Sequence, residues 1–194
     1  MLRVITMRHG DKFDQWYEDN FIHMIKEYSG LNFDELIVYN KVDEIFKDAP
    51  NQLYNILTLF KEFRDGTNLV FDLDVVIKGD MNKFITNKFT MCDTKKWAKP
   101  QYYADGFTRS SDVMCWSGDR SDIYLDFIEN LKENYEKKWD GADPWLINYK
   151  PEVYDDKLYS SIRCIEDFSK HPIVFFNSHH ETMKKKGWWK EYTI

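Results

Sequence analysis

Apolar positions along this chain switch between a spacing of two residues and a spacing of three to four, and each switch marks a new element. Leu2–Met7 alternates weakly and is bounded by Gly10, which predicts a first strand. From Phe13 to Tyr28 the residues Trp16, Tyr17, Phe21, Met24, Ile25 and Tyr28 recur at helical spacing, and Gly30 closes the run. Glu35–Asn40 reads as a short second strand. Gln52–Phe63 returns to helical spacing, with Leu53, Ile56, Leu57 and Phe60 on one face, until Asp65-Gly66 breaks it. Leu69–Ile77 predicts a third strand, almost continuously apolar, as expected where both faces are covered.

The second half is less regular. Lys88–Cys92 and Asp112–Trp116 read as short strands, and Pro172–Phe176 as a last buried one. Ser121–Lys138 predicts an amphipathic helix with Ile123, Tyr124, Phe127, Ile128, Leu131 and Tyr135 inward; Ala142–Tyr149 suggests another. No repeat, low-complexity stretch or linker divides residues 1–194, so a single domain is expected. The alternation of strand and helix implies an α/β fold, a central mostly parallel sheet flanked by helices. Ligands of such sheets bind beyond the carboxyl ends of the strands. That rule points to Asp72 and Asp74 on the third strand, and to Arg8, His9 and Gly10 after the first as a border for a nucleotide. Asp43, after the second strand, is a candidate to hydrogen-bond a base.

Composition narrows the partners. The net charge of −6 argues against a nucleic-acid polyanion. Three cysteines without CxxC spacing form neither a disulfide framework nor a zinc site and suit a reducing cytosol. The first residues lack the apolar core of a signal peptide and no segment approaches a transmembrane length, so a soluble cytoplasmic protein is expected. Aromatic residues make up 17% of the chain, which means a core built from rings, or rings lining a groove for a sugar or base.

Asp72 and Asp74 follow the apolar run Leu69-Val70-Phe71 and precede Val75-Val76-Ile77, a setting hard to explain as plain surface. Alternation along a strand puts both carboxylates on one side and Leu73 on the other. Three chemistries compete for the pair and its neighbours. FDLDVV resembles the nucleophile strand of haloacid-dehalogenase-type phosphatases, and GDRSD at Gly118–Asp122 imitates their acidic motif. However, GDRSD opens a helix, and the aspartate strand comes late for that family. Arg8-His9-Gly10 resembles the phosphohistidine motif of histidine phosphatases, but Asp11 follows it and no second arginine motif appears.

A third resemblance covers nearly the whole chain. NQLYNILTLFKEFRDGTNLVFDLDVVIKGDMNKFI resembles the centre of GT-A-fold glycosyltransferases, the group that includes glycogenin and bacterial lipooligosaccharide galactosyltransferases. GDKFDQWY is similar to the segment that covers the nucleoside, SSDVMCW to the strand below the sugar site, and GADPWLINY to the element that touches the transferred sugar. His180, Lys186 and Trp188 reproduce the family's His-x5-Lys-x-Trp spacing. The resemblance implies transfer of a sugar from a nucleotide-diphosphate sugar, most simply a UDP-sugar, to a glycan or other hydroxyl acceptor. It implies Mn²⁺ or Mg²⁺ held by Asp72, Asp74 and His180 (with His179 the competing histidine), and Lys186 on the diphosphate. Asp143 would touch the sugar or serve as general base. Two carboxylates and an imidazole suit a hard divalent cation with positions open for phosphate oxygens. A relative that binds the sugar nucleotide without turning it over remains the non-enzymatic alternative.

Overall fold

The computed structural model describes residues 1–8, 12–95, 97, 108–137, 141–164, 168–177, 179–185 and 187–194. Strand β1 (Leu2–Met7) lies between β2 (Glu35–Tyr39) and β3 (Thr67–Phe71), parallel to both. The connection from β1 to β2 is helix α1 (Gln15–Tyr28), started by the Asp14 carboxylate accepting from the Trp16 amide at 3.1 Å. Its Tyr17, Phe21, Met24 and Ile25 are buried, the face that the spacing predicts.

The segment Gln52–Phe63 departs from a plain helix. Gln52–Leu57 is 3₁₀ and only Thr58–Glu62 is α-helical (α2). The tighter winding turns Leu53 outward to 41% exposure, while Ile56, Leu57 and Phe60 stay buried.

The apolar run Leu69–Ile77 is two strands, not one. β3 ends at Phe71, three residues cross over, and β4 (Val75–Ile77) belongs to a different sheet. Every residue of β4 is buried, so the hydropathy pattern carries no sign of the change of sheet.

Two further strands complete the side of the main sheet that sequence patterning shows least clearly. They are β5 (Thr90–Asp93) and β6 (Arg109–Ser117), with the two-residue β7 (Glu152–Val153) at the edge. The order is β2-β1-β3-β6-β5-β7; the β3–β6 and β5–β6 pairs are antiparallel and the other three parallel. The helical pattern Ser121–Lys138 breaks at Asn130 into α3 (Ser121–Glu129) and α4 (Leu131–Glu136). Asn134 spans the break, its amide donating to the Phe127 carbonyl at 3.0 Å. Next come α5 (Asp143–Leu146), with Pro in its first turn, and β8 (Tyr159–Ser161). Then β9 (Ile173–Phe175) pairs with β4 on one side and β8 on the other, forming the small second sheet, and α6 (His180–Met183) follows.

Alternation along the strands feeds two cores. Val4, Leu69 and Phe71 point to the α1 side, together with β4 and β9; Ile5, Val70 and Met114 point to the side covered by α2 and α3. Many of the abundant rings are core: Phe60 packs on Trp116 at 4.5 Å between centroids, and Tyr54 on Phe127 at 5.2 Å.

Candidate active site

At the carboxyl end of β1 and β3 a cavity of about 240 Å³ opens between the two sheets. Its wall carries four carboxylates, Asp72, Asp74, Asp112 and Asp143. The Asp72 amide continues the ladder by donating to the Asp112 carbonyl at 3.0 Å. Leu73 turns into the core, fully buried, and acts as an anchor between the two aspartates. The Asp74 carbonyl then accepts from the Phe176 amide at 2.8 Å, which ties the crossing to the end of β9. Asp143 enters from the first turn of α5, where its Oδ1 accepts from the Ser111 amide at 3.1 Å.

Asp112 comes from β6 and is 6% exposed. Ser110 Oγ donates to it at 2.7 Å, and the Asn177 side-chain amide donates to both its oxygens at 2.9 Å. Burial nevertheless pushes its carboxyl up to about 6; the Asp74 charge adds to the rise, and the Ser110 and Asn177 hydrogen bonds pull back against it. Asp72 is raised as well, first by burial and then by Asp112 and Asp74. Lys12 Nζ lies 3.7 Å from Asp74 Oδ2. Among the described residues negative charge thus exceeds the compensating positive charge, and carboxylates in that state favour a cation or a proton between them.

The structure brings Asp72, Asp74 and Asp143 to one cavity. Other residues singled out in the sequence lie elsewhere. Arg8 Nη1 is taken up by Gln15 at 2.9 Å and Glu18 at 3.0 Å beside α1, off the cavity wall. Asp43 is a structural knot: Lys61 Nζ lies 2.7 Å and Tyr124 OH 3.0 Å from its Oδ2, and the Ile45 amide donates to Oδ1 at 3.1 Å. His180 is set behind the cavity wall, edge-on to Phe13 at 5.4 Å, with Nδ1 buried and lacking a partner. Among the described residues no three His, Cys, Asp or Glu side chains are arranged to hold a metal ion, so Asp72, Asp74 and His180 do not form a ready-made triad. His9, Gly10 and Lys186 lie outside the described residues. Trp188 stacks on Phe168 at 5.7 Å, and Trp189 packs edge-on to Phe176.

The acids of the GDRSD motif are spent locally. Asp119 Oδ1 accepts from the Ser121 amide at 2.8 Å at the start of α3, and Asp122 pairs with Arg120 at 3.2 Å. Neither lines the cavity, so GDRSD is not the acidic partner that a phosphatase reading of Asp72 and Asp74 needs.

Sequence reasoning missed Asp112, Asn177, Arg163 and Lys12 on the wall. For Asp112 a signal existed: an acid opening the apolar stretch Val113-Met114-Cys115-Trp116. The other three are ordinary surface types until folding brings them in.

No protein-family model matches the chain, and no curated protein is similar to it in sequence. Solved structures do match. An active-site mutant of LgtC superposes with a TM-score of 0.64 at 8% identity, covering 98% of this chain and 93% of that one. A glycosyltransferase involved in glycosylation of the major capsid of PBCV-1 gives 0.62 at 12% identity, over 94% and 98% of the two chains. GlyE of Streptococcus pneumoniae TIGR4 gives 0.64 at 11% identity, over 98% of this chain and 59% of GlyE. Strand order, the acid-lined cavity at the carboxyl ends and these superpositions converge, and the fold is that of the GT-A glycosyltransferases.

Proposed function

We propose that this chain is a metal-dependent glycosyltransferase that moves a sugar from a nucleotide-diphosphate sugar, most simply a UDP-sugar, to a hydroxyl of a glycan or similar acceptor. The observation that carries the reading is the convergence of Asp72, Asp74, Asp112 and Asp143 in one cavity of a GT-A fold. In kind, the donor set fits Mn²⁺ or Mg²⁺, because carboxylate oxygens are the ligands such ions take. In number it is partial: Asp72 and Asp74 would hold the ion and leave positions open for phosphate oxygens. A bound cation would neutralise the leaving diphosphate as the glycosidic bond breaks.

The chain's own residues do the rest. Leu73 anchors the crossing that carries the two aspartates, Ser110 and Asn177 fix Asp112, and Asp143 is the candidate to meet a sugar hydroxyl or take a proton from the acceptor. Lys186 and His180 remain the candidates to add charge to the diphosphate and a ligand to the ion.

Thermal-shift titration with UDP, GDP and their sugars, with and without Mn²⁺, tests the reading on the wild type and Asp74→Asn. Saturation at a hundred times the dissociation constant adds about 2.7 kcal/mol, several degrees for a chain of this size. One nucleotide that stabilises only with metal, and not in Asp74→Asn, upholds it. Stabilisation by a phosphate mimic with Mg²⁺ and by no nucleotide overturns it in favour of phosphoryl chemistry.

A further inference from the structure

We propose that Arg163 is the protein's own phosphate-binding group, taking the diphosphate of the donor, and that Asn177 is its positioning residue. This deepens the reading above and rests on it for the identity of the ligand.

Arg163 follows β8 and lies on the cavity wall, exposed to solvent. Its Nη2 donates to the Asn177 carbonyl at 2.7 Å. Four carboxylates share that wall, yet among the described residues none lies within ion-pair distance of Arg163. A guanidinium has five N–H donors in a planar fork, and that carbonyl occupies a single nitrogen. Its free edge matches two phosphate oxygens at once, which a lysine ammonium does not.

Asn177 explains why the guanidinium stays where it is. Its φ is +28°, a backbone region that non-glycine residues seldom enter and asparagine tolerates better than most. From there the carbonyl faces Arg163 while the side-chain amide bridges both oxygens of Asp112. Its own Oδ1 is buried without a hydrogen-bond partner. The rotamer therefore serves the Asp112 carboxylate at the expense of the amide oxygen, an arrangement that persists only when neighbours hold it. One strained residue thus fixes an acid inside the cavity and a base at its rim. The separation matters chemically. A diphosphate entering an acid-lined cavity is repelled unless cations meet it, and a guanidinium held off the carboxylates keeps its charge for the incoming anion.

The experiment is an NMR titration, with Mg²⁺ present throughout, of UDP, uridine and inorganic pyrophosphate into the wild type, Arg163→Ala, Arg163→Lys, Asn177→Gly and Asn177→Ala. Arg163→Ala should weaken UDP and pyrophosphate roughly ten- to a hundredfold and leave uridine unchanged. Arg163→Lys should recover only part of the loss. Both Asn177 variants lose the amide on Asp112, but glycine accepts the positive φ. Asn177→Gly should therefore hold pyrophosphate near the wild-type level, while Asn177→Ala weakens it several-fold with uridine unmoved. Equal pyrophosphate and UDP affinity in the wild type and Arg163→Ala overturns the proposal. If pyrophosphate binds in an Arg163-dependent way and no nucleotide does, the phosphate site stands and the nucleotide-sugar reading falls. If neither binds the wild type, both fall.

Discussion

Asp43, beyond the edge strand β2, and Asp112, on the interior strand β6, are both mostly buried, and their carboxyls move in opposite directions. Asp43 is held below the ordinary carboxylate range: burial raises it, but Lys61, the Ile45 amide and Tyr124 outweigh burial. Asp112 has hydrogen bonds from Ser110 and Asn177 yet rises to about 6, because burial is reinforced by the charge of Asp74 and no cation among the described residues pairs with it. A buried acid with a full set of opposite charges stabilises the fold. One left short of charge compensation costs stability and signals that something else is meant to bind there. The knot around Asp43 and the cavity around Asp112 thus put the same residue type in opposite electrostatic states.

The largest test of this contrast is on catalysis. Asp74→Asn should lower the rate of sugar transfer by roughly a thousandfold or more, if the metal and its charge are lost. Its melting temperature in the absence of metal should stay level or rise, since one of the mutually repelling charges is gone. A transferase assay beside a melting curve reads both.

Next in size is the dependence on pH. Asp112 binds its proton more tightly folded than unfolded, so its contribution to stability is full below 3.8 and is lost as the pH rises through about 6. That is on the order of 3 kcal/mol between the two ends. The metal-free protein should therefore melt higher at pH 5 than at pH 7.5. Mn²⁺ should remove the difference, and Asp112→Asn should flatten it. Asp43 has the reverse sign: its contribution is present above 3.8 and disappears as the pH falls below its lowered value. A melting temperature that climbs between pH 4.5 and 7 would place Asp112 with Asp43 and end the contrast.

Lys61→Ala leaves the nearly buried Asp43 without its main partner and should cost about 1–2 kcal/mol in denaturant unfolding, Lys61 being part-exposed. UDP affinity should not change. A loss of UDP affinity instead, with stability intact, would restore Asp43 as a group for the nucleotide base. Tyr124→Phe, which removes one hydrogen bond from the same carboxylate, should cost about 1 kcal/mol or less.

Sequence periodicity made the alternating half of the fold readable because its elements bury one continuous face each: α1 with Tyr17, Phe21 and Met24, β1 with Val4 and Ile5 on either side. It could not show that Leu69–Ile77 changes sheets, since both strands are buried on all sides and the only polar interruption is the aspartate pair itself. The two-residue β7 and the Tyr-Ser-Ser of β8 are too short to carry a period. In the site, Asp72, Asp74 and Asp143 were legible as acids beside apolar runs. Asp112, Arg163 and Asn177 acquire meaning only through contacts between residues 65 and 14 positions apart. For Asp43 the place at a strand end was legible, but not that Lys61, Tyr124 and the Ile45 amide occupy its carboxylate.

The crossing at Asp72-Leu73-Asp74 also dictates when the site comes into being. β4 has no strand partner until Ile173–Phe175 arrives from nearly a hundred residues later, and Asp74 is tied down by the amide of Phe176. Such distant pairing is slow, because the intervening loop must close before any contact rewards it. The β1–β2–β3 layer draws only on residues 2–71, whereas the cavity cannot be complete until Ile173–Phe175 and Phe176 have joined it. A growing chain released before Ile173 would carry both aspartates and still have no site.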